Sequence, residues 1–345
     1  MMWLTWRQFR TQAIIAAGGL ALMAIILAVS GVHLANQFNA SGIIGCQAHG
    51  HCEQVASNFL RTLRGSGYQV VFLIAAGLTY AVPGLIGVFW GAPLITREIE
   101  AGTIRLAWTQ SVTRTHWLAA KVGLIGIAAM ATAGLLSLMA GWFANPVYAA
   151  TAKAGAGPSG LNRFEPAVFG VSGIVPIGYA AFGFALGLTF GVLIRRTLPA
   201  MAATLGVFAG IQVAWLQLIR PHLLTPLRSI VPLDIANINS LMTNPGGHEM
   251  VVTASVHKPG AWILTNQTID AAGHPFTGPA TNACLNGGIQ ACNASVGRLH
   301  LRQLITFQPA SRFWTFQWYE TAIFVVVAVV LAWFCYSRVS RRRLT

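Results

Sequence analysis

Between Arg97 and Lys121 the chain sets charges of both signs, Arg97, Glu98, Glu100, Arg105, Arg114 and Lys121, among Ile99, Ile104, Leu106, Trp108 and Trp117. Such a segment is too polar to cross a bilayer and too apolar to stand free in water. It should lie along a membrane surface or press against a protein partner. The chemistry it offers is ion pairing and amphipathic docking. A second group, Cys46, His49, His51 and Cys52, brings together two thiols and two imidazoles that could hold a tetrahedral metal ion. The spacing is tight for four ligands on one ion, so a disulfide is the favoured reading and no metal is assigned. No Gly-x-Ser-x-Gly elbow or His-Glu-x-x-His motif is present, and no catalytic residue is assigned.

The elements that must position these residues are apolar. Of 345 residues, 55% are hydrophobic and only 9% charged, with a mean hydropathy of +0.61. A soluble domain carries about a quarter charged residues, so this chain lacks the means to cover itself with a polar surface. Runs of about 20 apolar residues mark membrane spans. Six are expected: Ala13–His33, Val70–Trp90, Val122–Phe143, Val168–Ile194, Leu198–Ile219 and Trp314–Tyr336. The fourth carries Pro176 and should kink or tilt. The first is long enough to be a retained anchor and lacks a small-residue cleavage site. The fold class is therefore an all-α polytopic membrane protein of six transmembrane helices.

Basic residues near span ends set the orientation. With the N-terminus inside, the inner side holds Arg7, Arg10, Arg97, Arg105, Arg114, Lys121, Arg195, Arg196, Arg338 and Arg341 to Arg343, against only Glu98 and Glu100. Both termini are then cytoplasmic. The isoelectric point near 10.6 reflects this topology and contact with anionic lipid headgroups rather than nucleic-acid binding. Cys46, Cys52, Cys284 and Cys292 all fall on the outer, oxidising side, and Cys46–Cys52 with Cys284–Cys292 is the simplest of three connectivities.

The expected organisation is a lead-in amphipathic helix at 1–12, with Met2, Trp3, Trp6 and Phe9 opposite Arg7 and Arg10. Spans one to five occupy 13–219 and include a cytoplasmic elbow at 96–121. A large extracytoplasmic cap between helices 5 and 6 covers 220–313, followed by the last span at 314–336 and a basic tail at 337–345. The cap is rich in turn signals and poor in apolar residues, so it should be a small disulfide-tied lid on the spans. Gly102 can end or bend a helix, and Thr103 can cap the next. Glu320, near the outer mouth of the last span, is either an intramembrane functional acid or a group reaching the headgroups.

Arg97-Glu98-x-Glu100-x-Gly102-Thr103, then Thr109-Gln110-Ser111-x-x-Arg114 and Lys121, resembles the membrane subunit of ABC exporters of the type-2 permease family. The opening Trp3–Arg10 segment is similar to that of actinobacterial members. The resemblance implies a permease half that pairs with itself or a related chain and is driven by a cytoplasmic ATPase subunit, which would hold ATP and Mg. It maps a coupling helix onto about Thr96–Gln110, with Arg97, Glu98, Glu100, Gly102, Thr103, Arg105, Trp108, Gln110 and Arg114 at the contact. Arg195 and Arg196 would form a second, smaller docking point. The chain has no Gly-x-x-x-x-Gly-Lys-Ser/Thr loop, so it is no ATPase itself and binds no cofactor of its own.

The cargo expected is a hydrophobic or amphipathic drug, lipid, peptide or antibiotic, moved across the plasma membrane of a bacterium by alternating access. Small residues of spans two and five, Gly77, Gly84, Gly87, Gly206 and Gly210, would line the path; Gly206 and Gly210 share one helix face. The rival reading is a membrane-anchored enzyme or sensor acting through its outer cap. A proton-driven carrier is disfavoured by the scarcity of acids in the spans.

Overall fold

The computed structural model describes residues 2–46, 51–100, 114–154, 162–235, 238–243, 250–254, 256, 258–278, 284 and 288–341. Apolar length dictates its main body. Among the described residues six helical stretches are long and apolar enough to cross a membrane: Phe9–Ala40, Gly67–Glu100, Ala119–Lys153, Val175–Ile194, Thr197–His222 and Ala310–Val339.

The helices are α1 (Met2–Ala40), α2 (His51–Leu63), α3 (Gly67–Ile86), α4 (Pro93–Glu100), α5 (Arg114–Lys153), α6 (Pro166–Phe169), α7 (Val175–Ile194) and α8 (Thr197–Ala214). The expected lead-in helix and first span are one unbroken helix, α1, because no Gly or Pro interrupts Met2–Ala40 at their junction. The fourth span differs from expectation. Pro176 does not kink it; the proline stands in the first turn of α7, where its missing N–H costs nothing, and the chain before it forms only the one-turn α6.

Beyond α8 the chain is not helical throughout, which corrects the all-α expectation. Strands β1 (Leu227–Pro232), β4 (Trp262–Ile269) and β5 (Arg302–Gln308) form an antiparallel sheet in the order β1-β5-β4, with Leu227 opposite Phe307 and Trp262 opposite Gln308. β2 (Ile238–Thr243) and β3 (Met250–Ala254) pair separately. A short helix α9 (Ile289–Gly297) precedes β5, and α10 (Phe313–Arg341) is the last described element. The alternating polar and apolar residues of these short strands give them one face to bury, and Met250, Val252, Cys292, Val296 and Leu301 make a small core. The disulfides Cys46–Cys52 and Cys284–Cys292 are both formed.

The cap rests on the helices through aromatic packing. Phe164 meets Trp262, Phe313 and Phe316 at ring-centroid distances of 5.9, 5.9 and 5.2 Å, and Asn162 Nδ2 donates to the Ala261 carbonyl at 2.7 Å. We refer to this as the cap end of the bundle and to the opposite one, which holds α4 and the 195–196 turn, as the loop end.

At the centre of the bundle is α7, most of whose side chains are buried. Its Gly183, Gly187 and Gly191 recur every fourth residue and so share one face. That face meets α3 where the helix widens into a π turn at Gly87–Gly91, closed by Ala92 N–H donating to the Gly87 carbonyl at 2.9 Å. The backbones approach without room for side chains. A Cβ on Gly187 would stand 2.1 Å from the Gly87 carbonyl oxygen, and one on Gly87 2.3 Å from that of Gly183. By contrast, a Cβ on Gly77, Gly206 or Gly210 would meet nothing within 4 Å, while Gly84 packs on Phe208 of α8.

Gly187→Val should therefore force the two helices apart and lower stability by at least about 3 kcal/mol, the upper end of overpacking costs. Gly206→Ala should be neutral or mildly stabilising through helix propensity. Melting of both variants in detergent, followed by size-exclusion chromatography, checks this; equal melting would contradict the contact.

Candidate coupling site

The loop-end site is built on α4, which leaves the π turn at Pro93 and ends at Glu100. Proline suits a helix start, and the polar sequence Thr96-Arg97-Glu98 follows as the chain turns out of the apolar body. The inward face carries Ile95, which packs with Leu188, Val192, Cys335 and Val339. Thr96 is fully buried, and its hydroxyl lies 2.8 Å from that of Thr197.

Two acids of α4 point at neighbouring elements rather than outward. Glu98 pairs with Lys121 of α5, whose side chain is buried. A buried ammonium is tolerated because an anion meets it. Glu100 serves α8: one carboxylate oxygen accepts the Thr197 N–H at 2.9 Å and the other its hydroxyl at 2.7 Å. A carboxylate there satisfies orphan donors of the first turn and complements the positive end of the helix. The turn between α7 and α8 is held tightly. Arg195 takes a left-handed backbone at φ 58° and closes α7 by donating its N–H to the Gly191 carbonyl at 3.2 Å. On the other flank Phe9 of α1 packs edge-on against Trp90 at 4.8 Å, and Gln12 Nε2 donates to the Phe89 carbonyl at 3.0 Å.

The structure thus brings Glu100 to Arg196, which is placed before the first residue of α8, and sets Glu98 on Lys121 of α5. Arg97, Arg195 and Arg196 are exposed. Gly102, Thr103, Arg105, Trp108 and Gln110 lie outside the described residues. Arg114 opens α5, and its side chain is outside them as well. Thr96 and Thr197, which tie α4 to α8, carry no motif in the sequence. The fourfold spacing of Gly183, Gly187 and Gly191 was the one signal that could have located the contact beneath them.

A second polar centre lies buried at the cap end. Arg220, in the 3-10 turn Arg220–His222 after α8, gives Glu320 of α10 a two-pronged contact, Nε to Oε2 at 3.0 Å and Nη2 to Oε1 at 2.8 Å. Its Nη2 also donates to the Tyr179 hydroxyl at 2.9 Å and its Nη1 to the Pro166 carbonyl at 3.0 Å. Tyr179 in turn donates to Glu320, and the Arg220 guanidinium lies 4.7 Å from the Phe169 ring centre. Arg220, Tyr179 and Glu320 are all fully buried. Glu320 therefore does not reach the headgroups. Three positions earlier on the same helix, Gln317 accepts the N–H groups of Ile174 and Val175 at 2.9 and 3.1 Å and donates to the Phe169 and Ser172 carbonyls at 3.1 and 3.0 Å. A side chain of α10 thus serves as the cap of α7.

For the candidate metal group, the Cys46 and Cys52 sulfurs are joined to each other, and His49 lies outside the described residues. Among the described residues no three His, Cys, Asp or Glu side chains cluster.

A family model described as ABC-2 membrane transporter related matches residues 17–220. No curated protein and no solved structure matches the chain. The match takes in α4 and the 195–196 turn and ends at Arg220, so most of the cap lies outside it.

Glu320→Ala should cost about 3–5 kcal/mol of stability, since it leaves Arg220 buried without its anion. A paired Arg220→Met/Glu320→Leu replacement should recover most of that loss. Melting temperatures of the single and double variants decide it; a neutral single variant would contradict a holding role.

Proposed function

The chain belongs to the ABC-2 membrane transporter related family, and from that membership we propose that it is the permease subunit of an ATP-driven exporter for a hydrophobic or amphipathic cargo. On this reading both termini and α4 face the cytoplasm of a bacterial cell, and the strand-bearing cap lies outside. The chain pairs with a second copy or a related permease, and ATP and Mg are held by a separate ATPase subunit.

The observation that carries the reading is the seating of α4. Arg97 on α4 is exposed, as are Arg195 and Arg196 in the turn between α7 and α8. The α4 helix is tied to α5 through Glu98–Lys121, to α8 through Glu100–Thr197, and to α7 through the close backbone contact at Gly191 and Ala92, where a Cβ would stand 2.7 Å from the Ala92 carbonyl oxygen. A load applied to α4 has no soft joint through which to dissipate before it reaches three spans. The exposed cations suit an acidic cleft on the partner. Of the acids in the expected contact, Glu98 acts as a positioning residue for α4, while Arg97, Arg195 and Arg196, with Arg105 and Arg114 in the adjoining segment, supply the docking charge. ATP binding that closes the ATPase pair would then shift the spans between inward- and outward-facing arrangements.

The test is capture of the ATPase by the tagged chain solubilised from its native membrane, with the partner identified by its Gly-x-x-x-x-Gly-Lys-Ser/Thr loop. Arg97→Glu/Arg195→Glu should lower capture about tenfold, the weight of inverted rim charges, with membrane insertion unchanged. Wild-type chain that brings down no such ATPase would overturn the exporter reading. Equal capture by both forms would move the docking site away from these residues.

A further inference from the structure

A groove of about 950 Å³ opens along one side of the bundle at the cap end. Its long wall is the α5 face that runs through Gly134, Leu138 and Gly141, and Ile177 of α7 stands opposite. Apolar side chains dominate, and Leu138 and Trp142 are more than half exposed. The upper end is different. There Tyr148, Arg163 and Ser172 converge beside Trp314.

Three features of that end are unexplained by the fold. Tyr148 and Ser172 are more than nine-tenths buried, and their hydroxyls approach each other but meet no other protein group in hydrogen-bond geometry. Each hydroxyl can donate once and accept twice, so a buried pair left only to each other has hydrogen-bonding capacity to spare. Arg163 is exposed and lies with its guanidinium 4.0 Å over the Phe313 ring centre, close enough to Tyr148 for the two to interact electrostatically. None of the ion pairs among the described residues includes it. A ring-stacked guanidinium keeps its in-plane N–H donors available to an incoming oxyanion.

Depth completes the picture. Arg163 lies between the candidate spans Ala119–Lys153 and Val175–Ile194, at the level where headgroups and interfacial tryptophans such as Trp314 are found. The apolar wall runs from there toward the middle of the membrane. We propose that this groove binds an anionic phospholipid of the cap-side leaflet, its phosphate on Arg163, Tyr148 and Ser172 and an acyl chain along the α5 wall. The two hydroxyls donate to phosphate oxygens and the guanidinium supplies the countercharge, so a zwitterionic lipid is held less well. The site requires that the chain spans a membrane and does not depend on the exporter reading. Capture of an ATPase and lipid preference can therefore fail separately.

The full chain is reconstituted in phosphatidylcholine discs that contain a minor fraction of phosphatidylglycerol, and retained lipids are read by native mass spectrometry. Wild type should retain phosphatidylglycerol over phosphatidylcholine by about tenfold, the weight of one charge-assisted contact. Arg163→Ala should erase that preference, Arg163→Lys should keep most of it, and Tyr148→Phe should reduce it. Arg228→Ala, on the exposed β1 strand, should leave it unchanged. An undiminished preference in folded Arg163→Ala, or equal loss in Arg228→Ala, overturns the proposal. So does displacement of the lipid by inorganic phosphate alone, which would make this a simple anion site, or a disulfide-linked dimer through Leu138→Cys, which would mean that a second copy covers the groove.

Discussion

Two helix backbones touch where α7 crosses the π turn after α3, and the bundle is organised around that contact. Carbonyl oxygens of Gly87 and Gly183 occupy the space in which side chains would stand, so glycine is required on both partners. Between helices in a membrane there is little hydrophobic gain from burial, and close backbone approach is a principal source of cohesion. With α7 fixed against α3, the remaining helices pack on the outside of that pair. The π turn serves the same end: its extra residue per turn offsets the helix axis and leads into α4.

Polar locks of different character close the two ends. At the cap end Arg220, Glu320 and Tyr179 form a fully buried cluster that joins α7, the end of the fifth span and α10. A bidentate guanidinium–carboxylate pair is directional, so it fixes orientation as well as proximity. At the loop end the locks are partly solvated: Glu100 stands exposed while it caps α8, and Glu98 is only partly covered where it meets Lys121. Screening by water makes such contacts weaker than a dry pair. On the proposed transport reading the backbone contact at Gly191 keeps α4 on α7, while the weaker polar ties to α5 and α8 set its orientation.

How much of this was legible in the sequence follows from the range of each interaction. The six spans were visible because hydropathy is a local sum; most of the expected elbow lies outside the described residues. Pro176 was visible but misread, since a proline at a helix start and one inside a helix look alike until the start is known. The Gly206–Gly210 pair has the expected spacing, but a Cβ on either would meet open space; spacing places two residues on one face without saying what covers it. Gly183, Gly187 and Gly191 show the same pattern and do meet a partner. Arg220 and Glu320 stand 100 positions apart, and nothing local in either segment announces their pairing. The strands of the cap were hidden by their shortness and by the Gly- and Pro-rich turns between them, which read as irregular chain.

The central claim is that α4 and α7 move as one piece, so that whatever acts on α4 acts on the spans. The most direct measurement is the distance between spin labels at Arg97 on α4 and Leu193 on α7, both exposed, by pulsed electron resonance on the chain with its ATPase subunit, with and without ATP. The account predicts a change no larger than the about 1–2 Å of ordinary helix shifts while distances from Leu193 to the poorly covered α1 change more. A lengthening between Arg97 and Leu193 well beyond that range, with the spans otherwise still, would contradict it.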